Sequence, residues 1–412
     1  MTRITLPYGL KHLTVDLNVR EDQVSVLEPP KLERMPQVLT LPESIGTPRL
    51  RDMVGPGMSI AIVTSDNTRP CPTAKMLPQI MEELGDAGVR DEDVVVVFAL
   101  GIHRTQSPKE HARLVGEGMA KRLRCVDHDP ECVTFLGTTS RGTPVEVFTT
   151  VVQADFRIAL GVVQPHHFAG FSGGAKALVP GVCSRKAIEK NHSLMMLPGV
   201  GTGLLEGNPV WEDIEEGAAL VGLDFIFNVV VDSERKVVAS AAGHPVDAHR
   251  RLCTWLHDQI QEQIASPADI VLISPGGHPK DINFYQAQKA LRNTEAAVRH
   301  GGVFILVAEC SEGIGEARLK RWLVEYDTEE ILRRFRQKFV LGGHIAAAIA
   351  RILKKAEIYL VSEMDPELVR TCGLVPFRDL EEASRTAMKK VGEDARFIVM
   401  PEATGLLLSV RS

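Results

Sequence analysis

Residues 58–100 read MSIAIVTSDNTRPCPTAKMLPQIMEELGDAGVRDEDVVVVFAL, and this stretch decides the fold class. It opens on a short apolar run, Met58–Thr64, and closes on a second, Asp93–Leu100. Both have the length and β-branched content of buried strands. A helix is expected between them, over about Thr73–Leu84. The pattern continues with a helix expected over Pro108–Arg122 and a third apolar run, FRIALGVV, at residues 156–163. Strand–helix alternation of this kind predicts an α/β fold, with a mainly parallel sheet flanked by helices.

Outward from there, the N-terminus alternates polar and apolar residues on either side of Pro7-Tyr8-Gly9, which predicts a β-hairpin. Pro29-Pro30 opens an irregular stretch. A helix capped by Thr40 is expected over Leu41–Val54. A chain of 412 residues is too long for one ordinary core, so two domains are expected. A polar helix between Gly243 and Ser266-Pro267 marks the boundary, giving domains 1–266 and 267–412, with the last residues packing back on the first. In the second half, strands are expected at Asp269–Ser274, Val303–Ala308, Ile358–Val361 and Phe397–Met400. Helices are expected at Phe284–Arg299, Glu329–Lys338 and Ile345–Lys354.

Lys+Arg numbers 47 and Asp+Glu 53, a net charge of −6, which argues against a nucleic-acid binder relying on overall positive charge. The seven cysteines form no C-x-x-C, so neither a disulfide framework nor a Cys-rich zinc site is expected. Residues 1–20 lack an apolar h-region, and no apolar run reaches membrane-spanning length. These features predict a cytoplasmic protein without nucleic-acid or membrane partners. A homo-oligomer stays open.

Ligands of open α/β sheets bind outside the carboxyl ends of the strands, and the unusual residues of this chain gather there. Asp66-Asn67-Thr68-Arg69-Pro70 follows the first run, Gly101-Ile102-His103-Arg104 the second, and QPHHFAGFSGGAK (164–176) the third. Each piece also has a plain reading: Asp66 and Arg69 as a turn closed by an ion pair, His103 as a surface residue. Gly170, Gly173 and Gly174 would let backbone N–H groups approach an anion. The lack of Gly-Lys-Ser/Thr excludes a Walker A loop. His166 and His167 are neighbours in an extended segment, so at most one is expected to face a site. His192 lies sixteen residues after Lys176, with no metal-type ligand at i+3 or i+4, which argues against an all-protein zinc site. In the second half, Tyr285, Gln286 and Lys289 start a helix whose N-terminus suits a carboxylate. Gly342-Gly343-His344 precedes an apolar helix.

Taken in order, DNTRP, GIHR, PHHFAGFSGGAK, His192 and YQAQK (285–289) resemble the nickel-pincer nucleotide-dependent lactate racemases and the related racemases and epimerases of 2-hydroxy acids. The resemblance runs from Asp66 to about Lys289. It implies two α/β domains, the first binding the cofactor and the second closing over a cleft that holds the active site. The implied cofactor is a pyridinium mononucleotide that holds nickel through two sulfur arms and a ring carbon. Lys176 matches its covalent attachment point and His192 the protein's nickel ligand. His103 and His166 match the acid–base pair. Asp66, Arg69, Gly173 and Gly174 match the cofactor's surroundings. Arg69, Tyr285, Gln286, Lys289 and His344 are the expected substrate contacts. The implied partners are a small 2-hydroxy acid and the proteins that make and load the cofactor.

The chemistry suits these residue types. The C2 hydrogen beside a carboxylate is a very weak acid, and a 2-hydroxy acid cannot form a Schiff base. Removing that hydrogen as hydride avoids a carbanion but needs an acceptor and a base for the hydroxyl proton. No G-x-G-x-x-G occurs, so a tethered ring rather than free NAD is implied. One imidazole serves each enantiomer, while Arg69 and Lys289 clamp the carboxylate. Sulfur arms and one imidazole suit nickel. Gly342 and Gly343 are expected to open space and His344 to meet a larger or charged tail, which points to a dicarboxylate or sugar acid rather than lactate. Two alternatives remain: a zinc-dependent hydrolase or lyase using His103, His166 and His192, and a non-catalytic organic-anion-binding protein.

Overall fold

The computed structural model describes residues 2–30, 32, 39–232, 234–337, 339–340 and 342–411. The chain divides into a middle unit, residues 31–259, and a terminal unit made of residues 1–30 and 260–412.

The middle unit is built on a seven-stranded sheet. Its order is Ser44–Ile45, Val237–Gly243, Phe225–Val231, Phe156–Val162, Ile60–Ser65, Val94–Ala99 and Arg124–Asp127. The five strands from Phe225–Val231 to Arg124–Asp127 are mutually parallel, and Val237–Gly243 is antiparallel to its neighbour. Ile60, Ile62, Val94, Val96, Ile158 and Leu160 share one core with Met76, Leu77, Ile80 and Leu84 of the Thr73–Asp86 helix. Burial on both faces explains why these strands read as continuous apolar runs.

The terminal unit has a six-stranded, all-parallel sheet in the order Val375–Phe377, Ala356–Val361, Val298–Val307, Ala268–Ile273, Phe397–Met400, Val24–Val26. On one face the hairpin Thr2–Tyr8/Lys11–Leu17 buries Ile4, Leu6, Val15 and Leu17 against Ile270, Leu272 and Ile305. On the other, Phe284, Ala287 and Leu291 of the Phe284–Asn293 helix pack with Ile345 and Ile349 of the Gly343–Lys355 helix.

Several expectations are corrected. The division into 1–266 and 267–412 fails at the N-terminus. Residues 24–26 form the edge strand of the terminal unit's sheet, and the hairpin covers its face. The last strand, Leu407–Val410, pairs with Gln261–Ile264 in that same unit and does not return to the middle one. The helix expected over 41–54 is absent: Pro48 falls in its interior and lacks the amide donor a helix needs there, and the chain instead forms the short strand Ser44–Ile45 and a turn at Leu50–Asp52. The helix expected over 108–122 is two, Pro108–Val115 and Glu117–Arg122, split at Gly116, whose φ of 89° no helix accommodates. The helix expected over 284–299 stops at Asn293, and residue 298 already starts a strand. Helix Thr328–Gln337 stands where Glu329–Lys338 was expected; Lys338 and Leu341 lie outside the described residues. Among the described residues no helix is long and apolar enough to cross a membrane.

Candidate functional site

In the middle unit's sheet the chain places Val94–Ala99 on one side of Ile60–Ser65 and Phe156–Val162 on the other. The reversal opens a crevice at the carboxyl ends of these strands. A cavity of about 170 Å³ lies there, lined by Asp66, Arg69, His103, Gly173, Lys176 and His192 among others. Residues from four separate segments thus converge on one space.

Asp66 and His103 form a dyad. Asp66 is 3% exposed, and its Oδ2 lies 2.6 Å from His103 Nδ1. The other oxygen accepts from the Thr68 hydroxyl at 2.6 Å and the Thr68 amide at 3.2 Å. Burial alone would raise this carboxyl, but the His103 and Thr68 hydrogen bonds outweigh it and hold Asp66 below its ordinary value. With Nδ1–H donated to a carboxylate, the lone pair of His103 is on Nε2. The expected Asp66–Arg69 ion pair does not form: the two share only a backbone bond, Arg69 N–H to Asp66 O at 3.3 Å. Among the described residues Arg69 has no carboxylate partner, so its guanidinium is available to the cavity it lines.

Lys176 sits in a 3-10 turn, Gly174–Ala177, after the third strand. Its Nζ lies 5.9 Å from the centroid of the buried Phe168 ring. Burial, helped by the Arg69 charge, pushes the amine down to about 7. A large fraction is therefore neutral and nucleophilic at neutral pH. His192 lies in the last turn of the helix Arg185–Ser193, one turn after Ile188, and both line the cavity. Ser184 caps this helix by accepting from Ala187 N–H at 3.1 Å. The His192 ring meets the same Phe168 ring at 4.9 Å.

His166 is placed differently. It is not among the cavity-lining residues, and its ring packs edge-to-face on Phe168 at 4.5 Å. Its Nδ1 accepts from the Ala169 amide at 3.3 Å, so the neutral ring carries its proton on Nε2, the reverse of His103. His166 and His167 do not point opposite ways, as an extended pair would. The strand Pro165–His166 turns at once into Gly170–Phe171, and the two rings stack at 4.8 Å. The two cradle glycines also differ. Gly173 lines the cavity. The Gly174 amide is taken by Asn228 Oδ1 at 2.7 Å, and a Cβ there would lie 2.8 Å from the His249 ring, so Gly174 serves packing rather than an anion.

Two residues escaped the sequence reading. Phe168 is the ring against which His166, His192 and Lys176 all pack. Asn228, fully buried, holds the start of the lysine turn. A lone Asn inside the apolar run FIFNVVV, residues 225–231, was the available signal.

In the terminal unit, Tyr285, Gln286 and Lys289 lie on the Phe284–Asn293 helix, with Lys289 Nζ donating to Gln286 Oε1 at 2.5 Å. The helix N-terminus is not open to a carboxylate. The amides of Phe284 and Tyr285 donate to Gly313 O and Ile314 O, both at 2.9 Å, and Asn283 Oδ1 accepts from Gln286 N–H at 3.1 Å. Nor do Gly342 and Gly343 open space. A Cβ on Gly343 would lie 2.8 Å from the Trp322 ring, and Gly342 has a φ of 90°. His344 is buried, and its Nδ1 accepts from Gly342 N–H at 3.1 Å. Burial, reinforced by the Arg292 charge, pushes it down to about 3, so it is neutral at physiological pH. Among the described residues no three His, Cys, Asp or Glu side chains gather as a metal-ligand set, which leaves the three-histidine zinc reading without support.

Comparison with known proteins agrees over the whole length. The lactate racemase N-terminal domain family matches residues 8–203 and the lactate racemase C-terminal domain family residues 263–408. A lactate racemase from Thermoanaerobacterium thermosaccharolyticum is 34% identical over 99% of both chains, and one from Lactiplantibacillus plantarum 29% identical over 99% of this chain and 100% of its own. The solved structure of the Thermoanaerobacterium apoprotein superposes with a TM-score of 0.90, each chain covered in full. A Thermotoga maritima protein, 18% identical with a TM-score of 0.63 over 87% of this chain and 94% of its own, shares the fold. The chain belongs to the lactate racemase family.

Proposed function

We propose that this racemase-class isomerase inverts C2 of a 2-hydroxy acid, using a nickel-pincer nucleotide tethered to Lys176; with Gly342 and Gly343 packed, no observation among the described residues favours an acid larger than lactate. The observation that carries this reading is one cavity lined by a desolvated lysine amine, an imidazole at a helix end, a carboxylate–imidazole dyad and an uncompensated arginine.

The residues fit such a group. A lysine pushed down to about 7 is a ready nucleophile for a covalent tether. His192 presents an imidazole beside it, where a metal held mainly by sulfur needs only one protein ligand. Gly173 brings its backbone to the cavity wall, and its φ of 84° with Asn228 and Val163 where a Cβ would stand admits no larger residue. When bound, the group supplies reversible hydride acceptance.

The chain's own residues handle protons and charge. His103 Nε2 accepts the substrate hydroxyl proton, and Asp66 stabilises the imidazolium that results. Arg69 takes the C1 carboxylate in a charge-assisted pair. His166 is the proposed acid–base group for the opposite enantiomer. The proteins that build and load the cofactor are the chain's expected partners.

The test is a panel of 2-hydroxy acids, assayed for stereoinversion and C2-hydrogen exchange with cofactor-loaded protein, beside intact-mass and metal analysis. A mass increment lost on Lys176→Ala, about one nickel per chain and inversion of at least one acid are expected. An unmodified, active chain would refute the tether.

A further inference from the structure

The ladder between the strands Ile60–Ser65 and Val94–Ala99 ends at the pair Ser65 and Ala99. Asp66 and His103 lie beyond it, in separate loops. Among the described residues no backbone–backbone hydrogen bond joins those loops. The His103 side chain is 45% exposed, so packing does not enclose it. Yet the dyad holds its two side chains at 2.6 Å. Some other contact has to fix one loop against the other.

Gln106 makes that contact from outside the cavity. It is buried, and it ends the His103 loop just before the helix Pro108–Val115. Asp127, the last residue of the edge strand Arg124–Asp127, accepts from the Gln106 amide at 2.6 Å and from Gln106 Nε2 at 3.2 Å. With Nε2 committed to a carboxylate, Oε1 is the atom turned toward the other loop. It accepts from the Asn67 amide at 2.9 Å. That amide belongs to the planar Asp66–Asn67 peptide, so the bond fixes the plane from which the Asp66 side chain departs. His111 holds Asp127 in turn. Its Nε2 lies 2.8 Å from Asp127 Oδ1, and its ring stacks on the strand residue Phe98 at 4.4 Å.

Glu110 adds a second strut. Its carboxylate accepts from Asn67 Nδ2 at 2.7 Å and from the Arg104 guanidinium at 2.6 and 3.0 Å. Asn67 follows Asp66 and Arg104 follows His103, so the strut also spans the two loops. The Arg104 side chain is largely exposed, and such pairs are weak in water. The buried amide of Gln106 is the firmer tie. We infer that Gln106 is a positioning residue, which docks the Asp66 loop on the His103 loop and so sets the geometry and tautomer of the dyad. For its effect on turnover the inference rests on the reading of His103 as an acid–base residue of a 2-hydroxy-acid racemase.

The test has two readouts. In cofactor-free protein with 15N-labelled histidine, NMR at mildly alkaline pH reports which His103 nitrogen carries the proton, the signal being assigned by its loss in His103→Gln. In cofactor-loaded protein, kcat and KM are measured on an acid that the wild type inverts. The wild type is expected to show the Nδ1–H tautomer of His103 alone. Gln106→Met is expected to show both tautomers and to lower kcat by roughly 10- to 100-fold, with KM within about twofold of the wild type. Asp127→Asn should act alike, because the new amide turns Gln106 around and sets its Nε2 against the Asn67 N–H. Gln106→Glu should act alike too, since it sets one carboxylate against another. Combining Gln106→Glu with Asp127→Asn puts a donor back opposite an acceptor and leaves a carboxylate oxygen for the Asn67 amide. The pair should regain the single tautomer and most of kcat. Thermal unfolding is followed in parallel. A fall in Tm with tautomer and kcat unchanged, or a pair that regains Tm but not the tautomer, overturns the assignment. If no 2-hydroxy acid is inverted, the functional reading fails instead, and the tautomer still decides the role of Gln106.

Discussion

The two units present their polar groups in different ways. In the middle unit, Asp66, His103 and Lys176 come from loops that leave three strands at one end of the sheet, so each side chain has its own surroundings. In the terminal unit, Tyr285, Lys289 and Arg292 form a row on one helix, spaced by the helical repeat. Loops allow each group to be tuned separately, as the amine of Lys176 and the tautomer of His103 illustrate. A helix face instead spaces its groups by the backbone repeat and leaves them in common surroundings. The contrast is clearest between two lysines. Lys176 is desolvated in the cavity wall, whereas Lys289 is exposed and holds Gln286.

The largest expected effect tests that contrast. In cofactor-free protein at pH 7, about a thousandfold more of the Lys176 amine than of an ordinary exposed lysine should be neutral. Labelling by an amine reagent, followed by peptide mass mapping, should be half-maximal near pH 7 at Lys176. The linkage sign is fixed by the same shift. The folded-state value lies below the unfolded one, so the unfolded chain binds more protons from about pH 7 to 10, and this lysine's penalty on stability fades as pH rises through that window. Lys176→Met should therefore stabilise the cofactor-free protein by roughly 2–4 kcal/mol at neutral pH and below. The gain should vanish toward pH 10. A lysine that labels like its exposed counterparts would erase the distinction.

A smaller effect sharpens the contrast within the middle unit, between a histidine set by a carboxylate and one set by a backbone amide. Asp66→Asn keeps the size of the side chain but no longer enforces the Nδ1–H tautomer of His103. A fall in kcat/KM of roughly 100-fold is expected. Interconversion of enantiomers has an equilibrium constant of one, so the loss must be equal in both directions. The Ala169 bond to His166 is untouched by this change, and binding of the cofactor should survive. Wild-type rates from Asp66→Asn would show that His103 needs no orienting partner.

Much of this was legible in the sequence. The apolar runs at 58–64, 93–100 and 156–163 identified the parallel sheet because strands buried on both faces leave little else to read. The order of the motifs after those strands identified the cavity, because ligand sites of open α/β sheets lie at that end. What stayed hidden depends on contacts far apart in the chain. That the first 30 residues belong with the last 153 is set by pairing of Val24–Val26 with Phe397–Val399, which no local pattern encodes. The pairing of Glu295 with Arg351, fifty-six residues beyond it, is likewise set by packing that no local pattern encodes. Glycines misled for the same reason. Gly174 and Gly343 read as a cradle and an opening, yet each makes room for a ring from a distant part of the chain, His249 and Trp322.

Those two glycines give the smallest effects and the last comparison of the units. At Gly174 an added Cβ meets the His249 ring at 2.8 Å and the backbone has a φ of 53°, so alanine there suffers both crowding and strain. At Gly343 only crowding applies, against Trp322 ring atoms at 2.8 to 3.0 Å. Gly343→Ala should therefore cost about 1–2 kcal/mol, less than Gly174→Ala, as read by denaturant unfolding. The contacting atoms belong to the six-membered ring of the indole, so Trp322→Phe should relieve the clash. Alone, Trp322→Phe leaves a void and is itself destabilising. Combined with Gly343→Ala it should cost about 1 kcal/mol less than the two single changes together. Strict additivity would mean that Trp322 is not what the glycine accommodates. A Gly343→Ala variant of unchanged stability but altered substrate preference would restore the view that this glycine leaves space for a ligand.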